Sequence, residues 1–406
     1  MSLLQHASRQ FENAPLNPPD SIFGLNEEFK KDNRNPKINL SVGVYQDELG
    51  EVPMMASVKM AEKMLLEAGG GKNYLPINGL PAYNQSVGKL VLGEITAAKK
   101  GVYWSTLQTP GGTGALRIAG ETLRRALHCD VIWISNPTWA NHPQIFQAAG
   151  LTIRHYEYLD SSQTRLDFEQ LIDSLASAEA GQAILLHTVC HNPTGVDPSP
   201  SQWQELIQMV RQKELIPIFD FAYQGFGEDL VADSLPIQLA IEAGCEILIC
   251  NSFSKNFGLY AERVGGVTVV AGSDSGCRSM ASQLALTIRT IYSNPPLHGG
   301  SIVATVLGDA ELRRQWEVEL TEIRQRIASL RTAFVSQLSQ LTPAMNFDHI
   351  LQQRGMFSYS GLTSEQVQRL KQEYAIYALS SGRINVAGIN QSNLKYLCQS
   401  IAAVTN

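Results

Sequence analysis

Glu246-Ile-Leu-Ile-Cys-Asn-Ser-Phe-Ser-Lys255 is an apolar run that stops abruptly in polar residues and a lysine. Its first half has the length and β-rich make-up of a buried strand. Four further runs of this kind lie nearby: Val131-Ile-Trp-Ile-Ser135, Ala183-Ile-Leu-Leu-His187, Ile216-Pro-Ile-Phe-Asp220 and Gly265-Gly-Val-Thr-Val-Val270. Between them come segments of helical period such as Gln202-Trp-Gln-Glu-Leu-Ile-Gln-Met-Val210. From about Val102 to Ala271 this alternation predicts an α/β domain whose mostly parallel sheet is covered on both faces. Apolar residues at helical spacing from Leu312 to Phe334 predict long helices leaving that domain. Gly355-Met-Phe-Ser-Tyr-Ser360 and Ala375-Ile-Tyr-Ala-Leu-Ser380 are strand candidates of a smaller α+β unit. Asn13-Ala-Pro-Leu-Asn-Pro-Pro-Asp20 reads as an extended arm.

A chain of 406 residues, 44% of them hydrophobic, exceeds what one core usually holds, so two domains are expected. A net charge of -6, with no basic run, excludes an obvious nucleic-acid footprint or membrane-seeking face. Six scattered cysteines without CxxC pairs fit a reducing compartment, and the cytoplasm is the expected location. No signal-peptide core or bilayer-length apolar run is evident.

In open parallel sheets ligands bind beyond the carboxyl ends of the strands. Lys255 lies just past such an end, where burial and nearby cations would lower its pKa and make a Schiff-base nucleophile of its amine. A lysine on a solvated turn is the plainer reading of that residue alone. Asp220 ends another apolar run and is costly there unless it meets a cation; a helix cap or structural ion pair is an equal alternative. Gly111-Gly-Thr-Gly-Ala-Leu-Arg117 suits an anion at a helix amino end, or a plain strand-to-helix turn; it is neither a dinucleotide fingerprint nor a Walker loop. His187 and His191 lie on strand and loop, so no metal site is expected.

Five stretches together carry a family resemblance: Ser252-Phe-Ser-Lys-Asn-Phe-Gly-Leu-Tyr-Ala-Glu-Arg-Val-Gly265, Cys190-His-Asn-Pro-Thr-Gly195, Phe219-Asp-Phe-Ala-Tyr-Gln-Gly-Phe226, Asn73-Tyr-Leu-Pro-Ile-Asn-Gly-Leu80 and Ser381-Gly-Arg-Ile-Asn-Val-Ala-Gly388. Almost end to end, the chain resembles a class I pyridoxal-phosphate aminotransferase of the aspartate and aromatic amino acid branch. The resemblance implies fold type I, a large domain with a mostly parallel seven-stranded sheet and a smaller α+β domain. Its implied division is residues 1–50 (arm and part of the small domain), 51–315 (large pyridoxal-phosphate-binding domain) and 316–406 (small domain). It implies that Lys255 bonds the cofactor and then shuttles a proton, while Asp220 pairs with the pyridine nitrogen. Tyr223 and Asn192 would hydrogen-bond the ring oxygen, and Trp139 would stack on the ring, supported by His142 and His187. Gly112, Thr113, Ser252, Ser254 and Arg263 would bind the phosphate, joined by Tyr74 across a subunit boundary.

For the substrate, Arg383 matches the α-carboxylate clamp. Arg289 matches a residue that meets a side-chain carboxylate from the neighbouring subunit, and Gly43 a segment that closes over substrate. A homodimer with shared sites follows, acting on amino and 2-oxo acids by a ping-pong mechanism, with no nucleic-acid or membrane partner. Val44 and Asn294 resemble the aspartate-preferring branch, Val52 the aromatic-accepting one, and Gln46 neither. The expectation is transfer from aromatic and dicarboxylic amino acids to 2-oxoglutarate; the alternatives are a strict aspartate aminotransferase, or a lyase or decarboxylase on the same scaffold.

Overall fold

The computed structural model describes residues 10–18, 20 and 22–405. A seven-stranded sheet carries strands β2 (Tyr103–Pro110), β3 (Val131–Asn136), β4 (Thr152–Glu157), β5 (Ala183–His187), β6 (Ile216–Phe221), β7 (Ile247–Ser252) and β8 (Val264–Ala271) in the order β2-β8-β7-β6-β5-β3-β4. Only β8 runs against its neighbours, β2 and β7. All five quoted runs of the sheet are strands. The two edge strands, β2 and β4, are not among those runs: β2 opens on exposed Tyr103 and half-buried Trp104 and Ser105, and β4 buries only Tyr156.

Successive residues of the inner strands enter opposite cores, as the pleat requires. Ile132, Ile134, Ile218 and Leu248 pack with the helices Gly111–Ala126 and Asp274–Ile291. Trp133, Phe219, Ile247 and Ile249 pack on the other face with Tyr83, Trp203 and Trp316. That double burial is why these strands read as continuous apolar runs.

The helix Ala310–Leu341 leaves this body, capped at its start by Asp309, whose carboxylate accepts from the Glu311 and Leu312 amides. Two small sheets complete the chain. β1 (Ile38–Asn39) pairs in parallel with β10 (Ile376–Tyr377), and β9 (Phe357–Tyr359) pairs antiparallel with β11 (Arg383–Asn385). Residues 14–18 are exposed and irregular, in keeping with an arm. Among the described residues no helix is long and apolar enough to cross a membrane.

Candidate active site

The carboxyl ends of the parallel strands face one cavity of about 470 Å³. Because β8 is antiparallel, its amino end reaches the same edge and brings Arg263, the residue before it, alongside. The lining includes Gly43, Gly112, Thr113, Trp139, Asn192, Asp220, Tyr223, Ser252, Ser254, Lys255, Arg263 and Arg383, all expected from sequence. Tyr74 and Arg289 stand apart: Tyr74 is 92% exposed, and the Arg289 side chain bonds Ser293 on the surface.

One end of the cavity is built for an anion. The helix Gly111–Ala126 starts there with no side-chain cap, leaving its first amides free to meet a ligand. Gly111 has φ +75°, and a Cβ on it would lie 2.7 Å from Arg263 Nη2. Arg263 Nη1 donates to Ser254 Oγ (3.3 Å) and to the Tyr260 carbonyl (3.1 Å), and the Ser252 and Ser254 hydroxyls are 3.2 Å apart.

At the other end Asp220, 8% exposed, pairs through Oδ2 with His142 Nε2 at 3.0 Å. Burial pushes this carboxyl up, but the His142 hydrogen bond and charge, with His187 and Lys255, outweigh it and leave the pKa below the ordinary value. His142 Nδ1 is fixed by Thr138 Oγ1 at 2.8 Å, and its ring meets Trp139 edge-on. His187 lies behind, 5.0 Å from His142 between ring centres; neither of its nitrogens has a partner, and burial pulls its pKa down to about 3. Donor atoms of His142, His187 and Asp220 lie within 4.8 Å of one another, a metal-like spacing, but the Asp220 hydrogen bond engages the His142 nitrogen a metal would need.

Lys255 stands between these ends, with Nζ 4.8 Å above the centre of the Tyr223 ring. Burial lowers its pKa to about 8; Asp220 opposes the shift, and Arg263 and Arg383 add to it. Tyr223 is buried, and desolvation pushes its phenol well above the usual range. Arg383, 2% exposed, donates from Nη2 to the Ser41 carbonyl (2.5 Å) and from Nη1 to Asn192 Oδ1 (3.4 Å). Its guanidinium lies 4.1 Å over the Phe357 ring, its Nε has no partner, and burial lowers its pKa to about 10.

Sequence reasoning missed several supports. Tyr260 Oη accepts from the Tyr45 amide at 2.9 Å and so holds the Gly43 segment over the cavity. Phe357 sits so close that a Cβ on Gly43 would fall 2.6 Å from its Cζ. Two buried acids brace the loops from behind: Asp197 accepts from the Cys190 and His191 amides (2.8 and 2.9 Å), and Asp233 from those of Gly225, Gly227 and Glu228 (2.7, 3.1 and 2.8 Å). The first of these loops carries Asn192, and the second continues from Tyr223. Asp197 belongs to the Asn-Pro-Thr-Gly-Val-Asp run, yet only its contacts give it this role.

The cavity therefore combines an uncapped helix amino end beside Arg263, a buried acid and a lysine of depressed pKa. Comparison with known proteins agrees with that chemistry. Residues 35–401 match the family profile of class I and II aminotransferases. The chain is 49% identical to an aspartate aminotransferase of Haemophilus influenzae, covering 97% of this chain and all of that one. It is 43% identical to an aromatic-amino-acid aminotransferase of Pseudomonas aeruginosa, covering 95% of this chain and 97% of the relative. Among solved structures, it superposes with a TM-score of 0.93 on an aromatic-amino-acid aminotransferase from Burkholderia pseudomallei covalently bound to pyridoxal phosphate, at 44% identity and full coverage of both chains.

Proposed function

This chain belongs to the class I and II aminotransferases, and on that premise we propose that it transfers the amino group of aromatic and dicarboxylic L-amino acids to 2-oxoglutarate. The observation that carries the reading is the placing of Lys255 between an anion cradle and Asp220, with Arg383 at the same cavity. Those residues fit pyridoxal phosphate. The open helix amino end, Gly112, Thr113, Ser252, Ser254 and Arg263 would grip the phosphate dianion. Asp220 would keep a proton on the ring nitrogen, Tyr223 and Asn192 would donate to the ring oxygen, and Trp139 would cover one face. When bound, the cofactor supplies an aldehyde that takes up the amino group and a ring that accepts the electron pair left on the substrate α-carbon.

The chain's own part is positioning and proton transfer. Lys255 Nζ would take the proton from the substrate α-carbon and hold it beside the reacting centre; its lowered pKa makes the free amine available near neutrality. Arg383 holds the α-carboxylate with its planar fork, in a pocket dry enough to strengthen the contact. The Gly43 segment, tied down by Tyr260, excludes water.

Arg289 and Tyr74, exposed and outside the cavity, are assigned to a second copy's site, so a homodimer is part of the proposal. The domains that go with it are 1–50, 51–315 and 316–406; the pairing of β1 with β10 supports joining the N-terminal segment to the small domain. A cytoplasmic setting accords with six cysteines that are all free thiols.

Initial rates with aspartate and with phenylalanine, each against 2-oxoglutarate, test the proposal. Paired amino-acid and oxo-acid products from both donors are expected. Turnover of aspartate alone would restrict the enzyme to dicarboxylic donors. Release of ammonia, pyruvate or CO2 without paired products would overturn the transfer reaction.

A further inference from the structure

A second, smaller cavity of about 160 Å³ lies where three segments meet: the turn through Phe226 and Gly227, the helix Ala310–Leu341, and the residues leading into β9. Three arginines line it, Arg324, Arg331 and Arg354, and no acidic residue does.

Arg331 is the anomaly. It is 5% exposed, donates from Nη2 to the carbonyls of Gly355 (2.6 Å) and Phe357 (3.4 Å) and from Nε to Ser358 Oγ (3.4 Å), and has no carboxylate partner among the described residues. Its Nη1 makes no hydrogen bond. A buried cation without a counter-charge is costly, and carbonyl dipoles offset that only in part. Arg324 likewise meets only neutral oxygens, the Gly225 carbonyl at 2.8 Å and Thr321 Oγ1 at 3.3 Å. Arg354 pairs with exposed Glu228 at 3.5 Å and lies within reach of the charge of buried Asp197; neither acid lines the cavity. Buried Asp233 stands behind the turn, accepting from the Gly225, Gly227 and Glu228 amides, but the wall of the cavity itself carries only the three guanidinium charges.

Gln353 sharpens the chemistry. It also lines the cavity; its Nε2 is fixed on the Tyr359 carbonyl, and its buried Oε1 has no partner. An acceptor beside three guanidiniums suits an oxyanion that still carries one hydroxyl.

We propose that this cavity binds hydrogen phosphate, with Arg331 Nη1, Arg324 and Arg354 on its charged oxygens and Gln353 Oε1 taking its O–H. An ion there bridges the turn that follows Tyr223, the long helix and the strand that carries Phe357 beneath Arg383. It would stiffen the connection between the two parts of the chain without touching the reacting atoms, and the inference does not depend on which amino acids are transferred.

The test uses the full chain loaded with cofactor, so that the cradle at Arg263 is already filled. Its unfolding temperature is followed against inorganic phosphate at constant ionic strength, with sulfate and chloride in parallel. A saturable rise is expected, with sulfate several-fold weaker because it has no proton for Gln353. Arg354→Gln, a surface change, should weaken phosphate about fivefold, the worth of one partly exposed charged contact, and leave the KM for amino acids unchanged. Crystals soaked in phosphate should show a tetrahedral ion within hydrogen-bond reach of Arg331 Nη1. A phosphate response equal to that of chloride, a response Arg354→Gln leaves intact, or a cavity holding only water at saturating phosphate would each overturn the proposal.

Discussion

Replacing Gly111 by alanine puts a methyl group where the anion cradle has least room. Two costs follow, and they can be separated. The residue sits at φ +75°, which costs an L-amino acid roughly 1–2 kcal/mol of fold stability. The new Cβ would also lie 2.7 Å from Arg263 Nη2, closer than atoms tolerate, and the flexible guanidinium would give way before the backbone. Losing one charge-assisted contact to the cofactor phosphate is worth about 1.5–3 kcal/mol, roughly a 10- to 150-fold rise in the dissociation constant. Gly101→Ala is the control: its φ is +91°, and a Cβ there has nothing within 4 Å. Titrating cofactor-free protein with pyridoxal phosphate by absorbance, alongside urea unfolding, reads both quantities. Both variants should lose stability, but only Gly111→Ala should lose cofactor affinity. Unchanged affinity in Gly111→Ala, or an equal loss in both, would refute the assignment of Arg263 to the phosphate.

Lys255→Met should stabilise the cofactor-free protein. The native pKa of about 8 lies below the unfolded value of 10.5, so the folded chain binds fewer protons between them and its stability rises with pH there. The gain of the variant should be about 3 kcal/mol at pH 7 and largely vanish near pH 10.5 in urea titrations; a loss at pH 7 would contradict the buried-amine argument. With Lys255→Ala the protein should retain cofactor absorbance yet fail to exchange the substrate α-proton for deuterium, and near-normal exchange would remove Lys255 from its role. Asp220→Ala should lower kcat severely while the protein still folds, as judged by circular dichroism. Arg383→Lys keeps the charge but loses the fork, and should raise KM for every amino donor by roughly a hundredfold, on the order of two charged hydrogen bonds; an unchanged KM would place the α-carboxylate elsewhere.

The central strands were legible because both of their faces are buried, which turns them into nearly continuous apolar runs. The edge strand Thr152–Glu157 was not, since solvent on its outer side permits Arg154 and His155. The direction of β8 was implicit in spacing: residues 253–263 are too few for a helical crossover, so the chain must turn back. Among site residues, those next to strand ends announced themselves, since polarity there is conspicuous. Tyr260, Phe357 and Asp197 did not, because their value lies in what they touch and their partners are distant in sequence. Tyr74 and Arg289 are named by resemblance alone and find no place in the cavity of a single chain.

The contact between Arg383 and the Ser41 carbonyl spans 342 residues of sequence, and the pairing of Ile38 with Ile376 is nearly as long. During synthesis the N-terminal segment must wait for almost the whole polypeptide to leave the ribosome before it finds its partner. Until then the Lys255 edge of the sheet lacks the contact between Arg383 and Ser41. The two ends of the chain therefore meet only when synthesis is nearly complete, and the Arg383 side of the cavity is among the last parts to form.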